Sequence, residues 1–240
     1  MSSLLVQLVD FGSRLLPVRI MRNIAYRVDQ FVQQVAAEHD LTEYTLIDVG
    51  AETTPYRKYF HKVKYCTLDK TQNEAGTIDF VTDINQGAPM IADGTIDFIL
   101  CTQVLEHLKE PALVFREFHR ILKPGGKLFL TTHLCFEEHM QPYDYFRFTQ
   151  YGLRYLGESA GFVLQHIAPH GGIFQVIALI VSTLPIKLFL RRYSTAYYLY
   201  LVLFAVPIFL FNLVCCVLDF LDTRKEMTLN YECIYLKPGA

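Results

Sequence analysis

From residue 44 onward the chain alternates short apolar runs with helical segments, and this alternation constrains its fold more than any other feature of the sequence. Strand-like runs lie at 44–49, 63–68, 77–81, 95–101, 127–132, 162–167 and 230–236. Helical patterns between them start at Pro111 and at a capping Thr149, the second ending near Gly161. Strands that alternate with helices form a parallel sheet covered on both faces, so the pattern predicts an α/β fold.

Turn signals and periodicity give the expected bounds of three more elements. A short helix is expected at 55–60, and the Lys-Pro-Gly-Gly run at 123–126 is expected to end one helix and turn the chain into a strand. Residues 3–38 have apolar residues at helical spacing, with a division near Gly12 and Pro17. This N-terminal region, 1–40, is expected to cover a domain edge or, alternatively, to lie on a membrane surface.

Composition excludes several classes of protein. The 240 residues include 22 basic and 24 acidic ones, a balance unlike that of a chain built to neutralise nucleic-acid phosphates. With 52% hydrophobic residues, the chain has enough apolar surface to bury, which excludes disorder. The six cysteines show no metal-ligand or CxxC spacing, so we expect reduced thiols and no metal site. The mean hydropathy of +0.22 indicates either a very large core or a segment that contacts a membrane.

Acidic residues follow three successive predicted strands. Asp48 and Gly50 stand at a strand-to-helix turn, where a glycine lets a ligand approach the backbone. Asp69 ends the second strand, a position from which a carboxylate accepts hydrogen bonds from ribose hydroxyls. Asp83 follows the third. This ordered set predicts a nucleoside-containing ligand at the carboxyl edge of the sheet.

Two longer motifs give the chain a family resemblance. Residues 94–107, which end in Leu-Glu-His, and residues 115–127, which contain Leu-Lys-Pro-Gly-Gly, resemble the class I S-adenosylmethionine-dependent methyltransferases. The resemblance implies a Rossmann-like seven-stranded sheet whose last strand, 230–236, runs antiparallel. It also implies a methyltransferase domain at 41–171 plus 229–240, interrupted by an apolar helical hairpin at 172–222.

The resemblance implies a cofactor site for S-adenosylmethionine. By position, its residues are Asp48, Val49, Gly50 and Ala51 at the methionine part, Asp69 and Lys70 at the ribose, Asp83 and Ile84 at the adenine, and Thr102 and Gln103 at the methyl donor. The family's glycine loop usually reads DxGxGxG, but here Glu52 and Thr54 replace the second and third glycines. The Glu52 side chain is expected either to crowd the methionine moiety or to pair with its ammonium group.

A second segment, 138–149, resembles the HxxPxDYFRFT stretch of a bacterial-type subgroup and is expected to lie over the methyl donor. It supplies His139 as a candidate base for a hydroxyl acceptor, with His107 and His133 as further candidates. Tyr143, Tyr145 and Arg147 are candidates for substrate contacts. The alternative is a packed lid in which Asp144 and Arg147 only pair with each other.

Residues 173–190 and 196–221 are almost wholly apolar. As helices they would be about 27 and 39 Å long, comparable with a hydrocarbon core of roughly 30 Å. Because 230–236 is expected to return to the sheet, the block must cross a membrane an even number of times or not at all. A hairpin that dips into the cytoplasmic leaflet is favoured over two full crossings and over a soluble dimer interface or cover.

These observations predict a methyltransferase at the cytoplasmic face of a membrane. The expected acceptor is a hydroxyl of a small-molecule, lipid-linked or glycan-like substrate, and a homodimer is possible on this reading. The alternative is a non-catalytic interaction protein that keeps the methyltransferase fold with a degraded cofactor loop.

Overall fold

The computed structural model describes residues 23–189 and 194–239, so the predicted helical segments before residue 23 lie outside the described residues. The described residues form two compact units, 28–168 with 230–239 (the sheet unit), and 23–27 with 169–229 (the hairpin unit). The helices are α1 (Asn23–His39), α2 (Pro111–Ile121), α3 (Gln150–Ser159), α4 (Ile173–Phe189) and α5 (Thr195–Leu218). The strands are β1 (Thr45–Val49), β2 (Lys64–Asp69), β3 (Phe80–Val81), β4 (Ile96–Thr102), β5 (Leu122–His133), β6 (Val163–Pro169) and β7 (Asn230–Leu236).

The strands form a seven-stranded sheet in the order β3-β2-β1-β4-β5-β7-β6. The pairs β1–β2, β1–β4, β2–β3 and β4–β5 are parallel, whereas β7 runs antiparallel to β5 with Asn230 opposite His133. The predicted Rossmann-like sheet with an antiparallel last strand is therefore confirmed. The order also brings the carboxyl ends of β1, β2, β4 and β5 to one edge, where the predicted site residues lie.

The sheet unit is held together by apolar residues at the spacing read in the sequence. In α1 the buried residues Val28, Phe31, Val32 and Val35 form one face, and the Phe31 ring packs edge-on against Phe129 of β5 at 6.5 Å. A second core includes fully buried aromatics from α2 and β7, whose rings meet at 5.4 Å between Phe115 and Tyr235. Residues 28–39 of α1 therefore cover the sheet. Of the two roles expected for the N-terminal region, this is the first, covering a domain edge.

Two predicted element bounds are wrong. The Lys-Pro-Gly-Gly run is not a separate turn, because β5 begins at Leu122 directly after α2 and pairs with β4 across an irregularity between Ile96 and Phe98. There the Lys123 ammonium contacts both carboxylate oxygens of Asp97, at 2.7 and 2.8 Å. The expected helix at 55–60 is only the single 3-10 turn Arg57–Tyr59.

The hairpin unit contains the expected pair of apolar helices, α4 and α5. Two carboxylates that follow α5 accept the backbone N–H groups at the start of α4. The N–H of Gly172 donates to Asp219 and that of Ile173 donates to Asp222, at 2.8–3.0 Å. Inside the hairpin, Asn212 Nδ2 donates to Ser182 Oγ at 2.9 Å. One helical stretch, Val202–Leu221, has the length and mean hydropathy (2.4) of a membrane span, whereas α4 is shorter.

Candidate functional site

The loop after β1 makes a tight elbow at Gly50. Its φ of 73° lies in the left-handed region, and a Cβ added there would lie 2.4 Å from Val104 Cγ2. The N–H groups of Gly50 and Ala51 both donate to the carbonyl of Leu68, at 2.8 and 3.3 Å, which ties the loop to β2. Only glycine combines this conformation with this close approach.

The two residues that replace family glycines keep the backbone geometry of glycines. Glu52 has φ of 43° and Thr54 has φ of 55°, values that side-chain-bearing residues rarely adopt. The Glu52 N–H donates to Asp69 Oδ2 at 3.0 Å, and the Glu52 carbonyl accepts from Asn73 Nδ2 at 2.7 Å. The Glu52 side chain is exposed to solvent. The loop is thus held from its backbone, with its carboxylate directed into water.

A buried acid lies beneath this elbow. Asp48 is almost fully buried at the end of β1, and the hydroxyl of Tyr65 donates a hydrogen bond to its carboxylate. Burial raises the pKa of Asp48 to about 7, the nearby Asp69 charge adds to the rise, and the Tyr65 hydrogen bond opposes it. Burial and the Asp48 charge also raise the pKa of Tyr65. Asp48 therefore fixes the base of the site, and Val49 and Ala51 beside it are buried as well.

The remaining predicted cofactor residues border the same edge. Asp69 and Lys70 follow β2, and Asp83 caps a 3-10 turn by accepting from the N–H of Asn85 at 3.0 Å, with Ile84 buried behind it. Thr102 ends β4, and Gln103 follows it with φ of 57°. The side-chain Nε2 of Gln103 donates to Thr131 Oγ1 at 2.9 Å, while the buried Oε1 of the same side chain has no hydrogen-bond partner among the described residues.

The three candidate bases lie in one cluster. The His139 ring centroid is 4.7 Å from that of His107 and 5.2 Å from that of His133. Below them lies Glu106, which is fully buried and accepts from Thr132 Oγ1 at 2.8 Å. Burial raises the pKa of Glu106, and burial together with the facing His139 and Arg147 lowers the pKa of His133 to about 3. His133 is therefore a neutral imidazole at physiological pH, stacked on Phe136 at 4.5 Å.

Backbone acceptors fix the tautomer of two histidines. His107 Nδ1 lies 2.7 Å from the carbonyl of Tyr143, and His139 Nδ1 lies 3.2 Å from the carbonyl of Glu137. A carbonyl oxygen only accepts, so in each neutral ring the proton is on Nδ1 and Nε2 carries a free lone pair. His107 Nε2 is buried without a hydrogen-bond partner among the described residues. Both rings therefore have a nitrogen that can take a proton or bind a cation.

The segment 134–149 is fixed by an ion pair and by backbone contacts. Arg147 binds Asp144 through two hydrogen bonds, at 2.6 and 2.7 Å. Its other N–H groups donate to carbonyls of residues 136, 137 and 146, which uses all five guanidinium hydrogens. Asp144 also accepts from the N–H of His139 at 2.8 Å, and the pairing with Arg147 lowers the pKa of Asp144. Arg147 thus has a structural role, and its predicted substrate contact stays a prediction.

The same segment reaches back to β2. The Lys70 ammonium lies 4.6 Å from the centre of the Tyr143 ring, and the Lys109 ammonium lies 5.8 Å from that of Tyr145. The N–H groups of Tyr145 and Phe146 donate to the carbonyl of Glu106 at 2.9 and 3.2 Å. The predicted cofactor residue Lys70 and the predicted substrate residue Tyr143 are therefore neighbours, although 73 positions separate them in the chain.

Sequence reasoning missed several residues that shape this site. Tyr65 holds Asp48, Asn73 holds the Glu52 loop, Phe136 stacks on His133, and Tyr56 hydrogen-bonds to Thr102. These contacts form only when the chain folds. Another residue of the site, Glu106, was visible in the sequence, because it is a charged residue between an apolar strand and a histidine.

Comparison with known proteins places the chain in a family. The profile of a family described as a methyltransferase domain matches residues 20–171, which is more than half of the chain. A ubiquinone biosynthesis O-methyltransferase from Xanthomonas oryzae pv. oryzae is 49% identical over 101 residues, 42% of this chain and 42% of that protein. The chain thus aligns with less than half the length of this curated relative.

Solved structures share the fold. Phosphoethanolamine N-methyltransferase 2 of Haemonchus contortus, in complex with S-adenosyl-L-methionine, matches with a TM-score of 0.53 and 15% identity over 82% of this chain and 49% of that one. The 1,6-didemethyltoxoflavin-N1-methyltransferase of Burkholderia thailandensis, with S-adenosylhomocysteine bound, matches with a TM-score of 0.52 and 12% identity over 88% of this chain and 78% of that one. At these identities the likeness concerns the fold alone.

Proposed function

Because the chain belongs to the methyltransferase domain family, we propose that it transfers a methyl group to a hydroxyl of a lipid-linked acceptor. Membership of this family confirms the predicted class, the S-adenosylmethionine-dependent methyltransferases, and the predicted cofactor. The observation that carries this proposal is the cluster of His107, His133 and His139 at the sheet edge that also bears the glycine elbow.

The residues at that edge fit S-adenosylmethionine. Gly50 is partly exposed at the carboxyl end of β1, the Glu52 side chain is exposed to solvent, and the buried Oε1 of Gln103 has no hydrogen-bond partner among the described residues. Asp69 would hold the ribose, Asp83 and Ile84 the adenine, and Gln103 the methyl-donor end. The cofactor supplies a methyl group already activated on a sulfonium, so the protein has mainly to position the two reactants.

A hydroxyl acceptor also needs a group that takes its proton. His107 Nε2 has a free lone pair in a buried position, and its tautomer is held by the Tyr143 carbonyl at 2.7 Å. As the hydroxyl oxygen attacks the methyl carbon in line with the carbon–sulfur bond, His107 accepts the hydroxyl proton, and an ether and S-adenosylhomocysteine are formed.

Three observations support a lipid-linked acceptor and a hairpin that dips into the cytoplasmic leaflet. The outer face of α4 and α5 is apolar and exposed, with Val202, Val206 and Phe189 among its residues. Between the two helices lies a cavity of about 510 Å³ lined mostly by apolar side chains next to Pro185 and Pro207. The matched relative is named for ubiquinone biosynthesis, in which O-methylation is the stated reaction. Partition of the full chain into sedimented liposomes tests the membrane part.

Calorimetric titration with S-adenosylmethionine tests the enzyme. We expect saturable micromolar binding that Asp69→Ala weakens at least tenfold, because the ribose loses its carboxylate partner. Asp93→Ala is the matched control, since Asp93 is an exposed acid that pairs with Arg120 away from the sheet edge. Lack of binding at millimolar ligand would favour the alternative, an interaction protein whose cofactor loop has lost its function through Glu52 and Thr54.

The acceptor is tested with a pair of phenols that share one catechol head group. One carries a polyprenyl tail and is supplied in detergent micelles, and the other has no tail. Release of S-adenosylhomocysteine with the prenylated compound, at least tenfold faster than with the other, supports a lipid-linked acceptor. Equal rates would point to a soluble small molecule, and turnover of neither would exclude this head group.

A further inference from the structure

Three side chains of the histidine cluster bring potential metal-ligand atoms close together. Glu106, His133 and His139 each present one potential ligand atom, and these atoms all lie within 4.8 Å of one another. We propose that they bind one divalent transition-metal ion of the Zn²⁺ type. The three residues come from the turn after β4, the end of β5 and the following loop, which explains why no ligand spacing is visible in the sequence.

The separation of the first two ligands agrees with shared coordination. Glu106 Oε1 lies 3.5 Å from His133 Nε2, which is beyond the usual hydrogen-bond distance of about 3.2 Å. Two atoms that each lie about 2.1 Å from a tetrahedral ion are themselves about 3.4 Å apart. The pair is therefore too far apart for a good direct hydrogen bond and correctly spaced for an ion between its members.

One oxygen of the Glu106 carboxylate lacks a hydrogen-bond partner among the described residues. The residue is fully buried, and this oxygen is Oε1, while Oε2 is used by Thr132. A buried carboxylate without compensation is costly, and pairing or metal coordination removes that cost. The Arg147 guanidinium, whose charge interacts with Glu106, has all its hydrogens engaged with Asp144 and carbonyl groups. A divalent cation would supply the missing charge.

The third ligand already has the outer support that metal-bound histidines usually have. His139 Nδ1 lies 3.2 Å from Asp144 Oδ2, and Asp144 is held in turn by Arg147. The Nδ1 proton is donated to the carbonyl of Glu137 at 3.2 Å, with the Asp144 carboxylate beside it, which leaves the Nε2 lone pair free for an ion and fixes the ring orientation. The Asp144–Arg147 pair in this support is the pair that the packed-lid alternative expected.

The ligand set indicates the ion and its use. Two imidazoles and one carboxylate suit Zn²⁺, Co²⁺ or Fe²⁺ better than Mg²⁺, and three protein ligands leave a coordination position open. Resting on the proposed function, we infer that this position takes the acceptor hydroxyl. Coordination would lower the hydroxyl pKa, the proton would pass to Nε2 of His107, and the oxygen would then attack the methyl carbon.

Titration of the full chain with Co²⁺, followed by its visible absorption bands, tests the site. We expect one equivalent to bind saturably with a tetrahedral spectrum, and Zn²⁺ to displace it. Glu106→Gln, which keeps the size of the buried side chain, and His139→Gln, at a partly exposed position, should each weaken binding at least 100-fold. The matched control is His166→Gln, a histidine of β6 paired with Glu232, which should bind Co²⁺ as the wild type does.

Absence of a saturable spectrum at millimolar Co²⁺ would overturn the proposal. So would wild-type affinity in His139→Gln, or equal losses in His139→Gln and His166→Gln, which would indicate scattered surface histidines. Circular dichroism checks folding, and if Glu106→Gln does not fold, His139→Gln decides. The titration contains no S-adenosylmethionine, and Asp69→Ala should retain Co²⁺, so failure of the metal site and failure of the proposed methyl transfer give different results.

Discussion

The sheet unit and the hairpin unit place their polar groups in opposite ways. In the sheet unit the interior is apolar, with Ile99 and Leu130 fully buried, and the polar groups gather at the carboxyl edge of the strands. In the hairpin unit Asn212 is only 6% exposed, whereas Val202 is 74% and Val206 is 66% exposed. Burial from water stabilises the first arrangement. The second is unfavourable in water and suits an apolar surrounding, which supports the proposed membrane contact of the hairpin.

The largest effect is expected from charges on the outer hairpin face. The double variant Val202→Glu, Val206→Glu should lose association with vesicles of phosphatidylethanolamine and phosphatidylglycerol, because each charge placed deep in a membrane costs about 3 kcal/mol. Co-flotation measures the bound fraction. The matched control, Tyr151→Glu with Tyr155→Glu, changes two equally exposed residues of the sheet unit and should float as the wild type does. A wild-type chain that stays at the bottom of the gradient would break the comparison.

A second prediction concerns the buried acid of the sheet unit. The pKa of Asp48 is raised from 3.8 to about 7, so the native state keeps a proton that the unfolded state releases as the pH rises through this range. The free energy of unfolding should therefore fall between about pH 4 and pH 7. At about 1.4 kcal/mol for each pKa unit, the loss approaches about 4 kcal/mol.

Asp48→Asn cannot release that proton and keeps an acceptor for Tyr65. Urea unfolding of both proteins across this pH range should show the wild type losing stability relative to the variant as the pH rises. Parallel pH profiles for the two proteins would mean that Asp48 ionises normally.

A third prediction compares two ion pairs of the sheet unit. Arg147→Ala leaves the Asp144 carboxylate, whose side chain is 2% exposed, buried without its partner. The expected loss in the free energy of unfolding is about 3 kcal/mol. Arg154→Ala breaks an exposed pair with Glu158 and should cost less than about 1 kcal/mol. Urea unfolding measures both, and equal losses would show that the 134–149 segment is not held by its ion pair.

The smallest effect is expected inside the hairpin. Asn212→Leu removes the hydrogen bond to Ser182 Oγ but keeps a side chain of similar size. In a membrane such interhelical hydrogen bonds contribute about 0.6 kcal/mol on average, so the melting temperature in vesicles should fall only slightly. Ser182→Ala should produce the same small change, and the double variant should add nothing to it. A large loss would indicate that the polar contact, rather than apolar packing, joins the two helices.

Local patterns predicted most of the secondary structure. The run at 230–236 matches β7 residue for residue, and the Thr149 cap and the Pro111 start are found as expected. The errors fall where local and tertiary preferences compete. The glycines at 125 and 126 favour a turn, but the Gly125 N–H donates to the Lys237 carbonyl and the Gly126 carbonyl accepts from the Lys237 N–H, which draws the segment into β5.

The sequence predicted where the candidate site residues lie but not the contacts they make. Gly50, Asp69 and Gln103 lie at one sheet edge, because strand ends in a parallel sheet are brought together by topology. The contacts that decide the chemistry of this edge join residues far apart in the chain, such as Tyr65 with Asp48 or His139 with His107. No local pattern encodes such contacts.

The sequence by itself determined the class of fold, the family and the edge at which the predicted cofactor residues gather, because hydrophobic periodicity and strand-end motifs are local properties. Only the tertiary structure decided that Glu52 directs its side chain into water, that Arg147 is used up by its own loop, and that Glu106 meets two histidines. These outcomes depend on which buried polar atoms find partners, and such partners are chosen by three-dimensional packing rather than by position in the chain.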